Sequence, residues 1–152
     1  MKVYRLSRKK YAEELSGKGA AKVGGRWNSR GTELIYTAQS RALAMAEVAV
    51  HLTLATLPED FVMVEIEVPD AISISEFDPE KLPKRWNSFP YNLKTQGIGD
   101  EFVQDEKSCL LKIPSAVVPG DHNYLLNPKH PDFEQVRISS VENFPFDERL
   151  FK

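Results

Sequence analysis

The sequence predicts an α+β fold, with short, mostly antiparallel strands forming the core and few helices. Extended runs outnumber helical ones. Each is closed within a few residues by Pro, Gly, Asn or Asp, and strands do not alternate regularly with helices as a doubly wound sheet requires. The chain has 152 residues, 41% hydrophobic and 28% charged. That suits one folded domain over residues 1–152, burying roughly two thirds of its unfolded surface.

The elements follow in order. Val3-Tyr4-Arg5-Leu6 reads as a first strand, and Tyr11 to Leu15 as one or two helical turns. Ser16 to Gly25 holds four of the eight glycines with Lys18 and Lys22, and reads as a flexible cationic loop. Its spacing is neither a Walker loop nor a dinucleotide fingerprint. Leu34 to Ala38 is a strand. Ser40 is an N-cap for a helix from Arg41 to Leu54, with Leu43, Val50 and Leu54 as the buried stripe. Phe61 to Val68 is the clearest strand, with Val62, Val64, Ile66 and Val68 on one face and Glu65 and Glu67 on the other. Ile72 to Ile74 is short and extended. Asp78 to Tyr91 is a proline-rich loop anchored by Trp86. Gly99 to Lys107 reads as a helix capped near Asp100. Cys109 to Ile113 is a strand ended by Pro114. Val117 to Pro119 and Asn123 to Leu126 are extended about a turn at Gly120-Asp121. Asn127 to Pro131 is a loop and Phe133 to Ser139 the last strand.

One cysteine, Cys109, rules out an internal disulfide and a multi-cysteine zinc site and fits a reducing, cytoplasmic compartment. The N-terminus lacks the apolar core of a secretory signal, and no apolar run is long enough to cross a bilayer, so no membrane role is expected. Net charge is -2. Up to Arg41 there are ten Lys or Arg against three Glu; after it, ten against nineteen acidic residues. The basic half suits an anionic ligand or an acidic partner, and equally a solvated basic face.

Glu47 is the anomaly. It lies four residues after Leu43 and three before Val50, inside the expected buried stripe. A carboxylate there costs several kcal/mol, on the order of that per ion, unless a cation or donor meets it. It is either one half of a structural ion pair, with Arg26 or His51, or a carboxylate lining a cleft.

Taken together, Gly24-Gly25-Arg26-Trp27-Asn28, Ile35-Tyr36-Thr37-Ala38, the helix with Glu47 and His51-Leu52, Ile113-Pro114-Ser115-Ala116, and Asn123 to Pro131 resemble the RES domain family. The resemblance runs from Tyr4-Arg5 to about His130-Pro131. It implies an ADP-ribosyltransferase-like fold with a split, twisted sheet, and the toxin of a toxin–antitoxin pair that binds and destroys NAD. Arg26, Glu47 and Ser115 match the Arg, Glu and Ser that name the family. Tyr36 matches its strand tyrosine, and Arg5 an early arginine that approaches the dinucleotide. The implied partner is an Xre-like helix-turn-helix antitoxin, with DNA touched only through it; a homodimer is left open. Residues 70–106 match nothing nameable.

The chemistry fits one carboxylate. Nicotinamide leaves its ribose as a neutral base and needs no general acid, while the ribose becomes oxocarbenium-like. The catalyst's task is to place an anion beside that cation and hold the dinucleotide still. On this reading Glu47 stabilises the cation or orients the attacking water. Arg26 and Arg5 hold the pyrophosphate, Tyr36 offers a face to nicotinamide, and Ser115 donates to the nicotinamide amide or a phosphate. No metal is needed. Two alternatives stand beside NAD hydrolysis or phosphorolysis: transfer of ADP-ribose to a protein, and a non-enzymatic nucleotide- or partner-binding domain in which Arg26 and Glu47 are a structural pair. A nuclease is a poor fit, because no metal-carboxylate cluster or histidine catalysis is evident.

Overall fold

The computed structural model describes residues 1–151. Seven strands form one mixed sheet: β1 (Lys2–Arg8), β2 (Ile35–Ala38), β3 (Phe61–Glu67), β4 (Ile74–Glu76), β5 (Leu110–Pro114), β6 (His122–Leu126) and β7 (Arg137–Asn143). The spatial order is β4-β5-β6-β2-β1-β3-β7. Only β4 runs parallel to its neighbour. The α-helices among the described residues are α1 (Lys18–Val23), α2 (Arg41–Ala49) and α3 (Leu93–Asp105). The fold is α+β, as expected.

The sheet is nearly parted at its centre. β1 pairs with β3 from Lys2↔Glu67 to Arg8↔Phe61, yet meets β2 only at Tyr4↔Ala38. Side-chain alternation sorts residues onto two faces. On the back face Val3, Ile35, Val62, Val64, Ile66, Leu110 and Leu126 form one apolar cluster that spans the seam. Each such buried side chain contributes about 1.5–3 kcal/mol. The front face is divided. Leu6, Ala38, Phe61 and Met63 pack with Leu43 and Ala44 of α2. Leu111, Ile113 and Leu125 pack with Trp27 and with Phe102 and Val103 of α3. The two clusters are separate; the strip of front face between them, bridged by the Ser115–Glu47 hydrogen bond, is called the valley.

An ion-pair network fixes α2 to its half. Glu65, only 8% exposed, accepts from Lys2 Nζ at 2.8 Å, Arg41 Nη2 at 2.7 Å and Ser139 Oγ at 2.9 Å. A cation at a helix N-terminus opposes the helix dipole, so Arg41 is placed for Glu65 and not for the helix.

Several elements differ from expectation. The cationic loop at Ser16 to Gly25 contains α1. Its glycines make a helix costly to nucleate, but Asn28 Nδ2 donates to Ala20 O at 2.8 Å and Gly31 N to Ala21 O at 2.8 Å. Tertiary bonds thus hold what local propensity does not. α2 ends at Ala49, not Leu54; Val50 and Leu54 are 58% and 52% exposed, so the expected stripe is buried only at Leu43 and the adjacent Ala44. α3 begins at Leu93, capped by Asn92, six residues before the expected start. Gly97 and Gly99 read as helix breakers, yet one of them is required by packing, as described below. Of the segment Tyr11 to Leu15, Tyr11 closes a 3-10 turn at Lys9–Tyr11, and the rest is not helical. Pro131 starts a 3-10 turn that takes Phe133, so the last strand is displaced to Arg137–Asn143. Ala116 to Val118 bends and is not extended.

Candidate active site

Glu47 lies on the partly buried side of α2. Ser40 starts that helix as expected, its hydroxyl accepting from Leu43 N at 3.1 Å. Ser115, at the end of β5 in the other half of the sheet, donates its hydroxyl to Glu47 Oε1 at 2.7 Å. Ser115 Oγ also accepts from the amides of Val117 and Val118, both at 3.0 Å. These two bonds cause the bend after β5 and use both lone pairs. The single hydroxyl proton is therefore directed at the carboxylate. Glu47 makes no salt bridge with any described residue, and among those residues its Oε2 has no hydrogen-bond partner. An Arg26–Glu47 structural ion pair is absent.

The loop after α1 forms the opposite wall. The Tyr36 hydroxyl, from β2, donates to Asn28 Oδ1 at 2.6 Å and accepts from Trp27 N at 3.0 Å. Burial pushes the phenol above its ordinary pKa, and the Trp27 amide only partly offsets this. The hydroxyl is thus occupied, and Tyr36 has its ring left for a ligand. Asn28, fully buried, spends its amide on the carbonyls of Ala20, Ser29 and Thr32.

One face of α3 grips this loop. Gln96 Nε2 donates to Gly25 O at 3.0 Å, and Asp100 accepts from Ser29 N at 3.0 Å and Ser29 Oγ at 2.5 Å. A Cβ at Gly99 would lie 1.6 Å from Trp27 O, and one at Gly25 would lie 2.7 Å from the Tyr36 hydroxyl. Glycine at both positions permits these approaches. Residues 70–106, opaque in the sequence, thus position the loop that bears Arg26. Asp100 does this from mid-helix and is not a cap.

Arg26 directs Nη1 to the carbonyls of Trp86 at 2.7 Å and Ser88 at 2.8 Å, and its guanidinium lies 5.2 Å from the Tyr91 ring centroid. Burial lowers its pKa, while Tyr91, Glu47 and Tyr36, in that order, oppose the shift electrostatically. Tyr36 adjoins the Arg26-bearing loop through the Trp27 amide and Gly25, while Glu47 acts on Arg26 only through its field. Arg26 fastens the proline-rich loop across the valley; Trp86 stacks near Trp27 with centroids 5.9 Å apart, and Phe89 reaches His51 at 6.4 Å. No spacing in the sequence announces the roles of Gln96, Asp100 or Tyr91, since their partners Gly25, Ser29 and Arg26 lie more than 60 residues away in the chain.

Arg5 stands apart. By alternation it shares the back face of β1 with Val3, one residue past the seam's single rung. It donates to Glu14 O at 3.5 Å, and burial lowers its pKa. No contact joins it to Arg26, Tyr36 or Glu47. Like Arg26, it has no carboxylate partner among the described residues.

A hollow of about 640 Å³ opens elsewhere, along Glu67, Pro69, Glu134, Arg137 and Ser139. Two carboxylates against one guanidinium disfavour an anionic ligand there, so chemistry points to the valley despite the hollow's size. No group of three or more His, Cys, Asp or Glu among the described residues is placed to hold a metal. No helix among them is long and apolar enough to cross a membrane.

The model of the RES domain matches residues 2–147. The chain belongs to the RES domain family. It is 39% identical over 143 residues to the "Prs ADP-ribosylating toxin" of Sphingobium sp., covering 93% of this chain and 89% of that protein. It is 40% identical to "Toxin Res" of Yersinia enterocolitica over 99% of both chains. It is 39% identical to "Toxin Res" of Pseudomonas putida over 91% of this chain and 93% of that one. Among solved structures, the M. tuberculosis MbcT-MbcA toxin-antitoxin complex contains a chain that superposes with a TM-score of 0.73, at 19% identity, over 99% of this chain and 86% of that one. That likeness concerns the fold. This RES protein thus has an α+β fold in which Ser115 of one half of the sheet is bonded to Glu47 of the helix on the other.

Proposed function

We propose that this RES protein is the toxin of a toxin–antitoxin pair and breaks the nicotinamide–ribose bond of NAD. The observation that carries the reading is Glu47, a carboxylate oriented by Ser115, without a guanidinium partner among the described residues, whose charge is felt by Arg26. A structural pair would have joined Arg26 to Glu47, and this does not occur. Two part-buried arginines without carboxylate partners, Arg26 and Arg5, are suited to an anion such as a pyrophosphate. Arg26 keeps its Nε and Nη2 donors for it, while Arg5 lies on the back face of β1 and bonds Glu14 O.

In the reaction the ribose C1′–N bond breaks and its electron pair passes to the pyridine nitrogen, so nicotinamide departs neutral. The positive charge left on the ribose is stabilised by Glu47 Oε2. Water then adds to C1′ and loses its proton, giving ADP-ribose. Phosphate in place of water gives phosphorolysis. Ser115 acts on this reading as a positioning residue, because its hydroxyl is already saturated. The name of the Sphingobium relative favours a second reading, in which a protein side chain takes the ADP-ribose.

Incubation with NAD tests the proposal. Nicotinamide is released by the wild type, and Glu47→Gln lowers the rate about a hundredfold or more with the fold intact. Equal release by both forms, or by neither, rejects it. NAD labelled in its adenylate half separates the acceptors: label in free ADP-ribose, in its phosphorylated product, or on a protein.

An NAD-destroying toxin requires an inhibitor, and the toxin-antitoxin complex of the structural neighbour supports a cognate antitoxin here. We assign it the Xre-like helix-turn-helix class, with DNA contacted through it. Lys18 and Lys22 are exposed on α1 and would receive an acidic antitoxin segment. Charge reversal at both weakens the complex on that view; unchanged affinity removes α1 from the interface.

A further inference from the structure

One short stretch of chain fixes the Arg26 guanidinium at three points. Both protons of its Nη1 are spent on the Trp86 and Ser88 carbonyls, at 2.7 and 2.8 Å. The Tyr91 ring lies against its plane at 5.2 Å, within cation–π range. The two Nη1 bonds are, among the described residues, the only hydrogen bonds that tie residues 83–91 to the rest of the protein. Tyr91 is itself held. It precedes Asn92, whose side chain caps α3 by accepting from Lys94 N at 2.8 Å. On its other flank the Phe89 ring meets it edge-to-face, with centroids 5.4 Å apart.

What remains of the guanidinium has a definite shape. Nε–H and one N–H of Nη2 run parallel along one edge, a fork that matches two oxygens of a phosphate. Neither nitrogen has a partner among the described residues. Two bonds to Nη1 locate that nitrogen; a ring against the face is what fixes the plane, and with it the direction of the fork. We propose that Tyr91 is a positioning residue, whose ring holds Arg26 with its Nε–Nη2 edge preset for a pyrophosphate. The proposal rests on the NAD reading for its ligand and deepens it. A side chain preset in this way loses little freedom on binding. Tyr91 therefore acts on affinity and leaves bond breaking to Glu47.

Proton–nitrogen NMR of the full chain reads the Arg26 Nε–H resonance, assigned with Arg26→Lys. Inorganic pyrophosphate is titrated into wild type, Tyr91→Leu and Tyr91→Phe. The expected result is a shifted resonance in all three, a Kd raised roughly fivefold by Tyr91→Leu, and recovery in Tyr91→Phe, which keeps the ring. The sheet amides stay unshifted by either substitution. In nicotinamide release Tyr91→Leu raises the KM for NAD by a similar factor and leaves kcat within about twofold. A pyrophosphate Kd that ignores Tyr91→Leu, a loss that Tyr91→Phe does not recover, or a loss accompanied by shifted sheet amides overturns the positioning role. So does a kcat that falls as far as KM rises. Tyr91-dependent pyrophosphate binding without nicotinamide release by the wild type keeps the role and rejects the NAD-cleavage reading. Release by the wild type with no pyrophosphate shift at Arg26 does the reverse.

Discussion

Replacing Ser115 by alanine separates a positioning role from a ligand contact. The substitution removes the 2.7 Å bond to Glu47 and the acceptor of two amides at 3.0 Å, in a residue only 5% exposed. A hydrogen bond to a charged group contributes about 1.5–3 kcal/mol, and the two amides recover part of their loss from water, so the net destabilisation is about 2–4 kcal/mol. For a chain of this size that lowers Tm by roughly 5–15 °C. In nicotinamide release, kcat falls on the order of a hundredfold as the carboxylate loses its orientation, while the KM for NAD stays within about twofold, since nothing is removed from the ligand. The assay is initial-rate kinetics below the variant's melting range. A raised KM with wild-type kcat would refute the reasoning and return Ser115 to contact with the dinucleotide.

Gly99→Ala places a Cβ against the Trp27 carbonyl, a backbone atom that cannot move alone; a loss of about 3 kcal/mol or more is expected, read as a fall in Tm. Tyr36→Phe strands the buried Trp27 amide and costs about 1–3 kcal/mol. Because burial already holds that phenol above its ordinary value near 10, the wild-type rate shows no alkaline limb from Tyr36 below about pH 10. Glu65 titrates below its ordinary 4.5, held there first by the Lys2 hydrogen bond and next by Ser139. Its folded value is depressed, so its contribution to stability is present above pH 4.5 and fades as pH falls through the folded value. Glu65→Gln makes denaturant midpoints less dependent on pH across that window, and an unchanged acid limb refutes the assignment.

What the sequence disclosed follows from the range of each interaction. Ser40 and the apolar alternation at Phe61–Glu67 act within a few residues, and both appear as read. Glu47 was conspicuous because a charge among apolar positions contradicts its local pattern. The short α1 and the early start of α3 were hidden, since distant partners outweigh the glycines: Asn28 and Gly31 for α1, and the Trp27 backbone against Gly99 for α3. The Ser115 hydroxyl is legible as a donor near a site, and Tyr36 as a ring face, but neither hydroxyl is legible as already satisfied. That depends on Val117, Val118, Trp27 and Asn28 arriving from several elements.

The lone Tyr4↔Ala38 rung has a mechanical consequence. With an unbroken apolar backing behind it, the sheet is compliant in one direction, like two leaves on a common spine. A guest touching both leaves stiffens the whole protein, so amide exchange should slow in β1 and β2 together when the valley is filled. An inhibitor need not occupy the reacting position at all; spreading the leaves by a fraction of an ångström would pull Ser115 from Glu47.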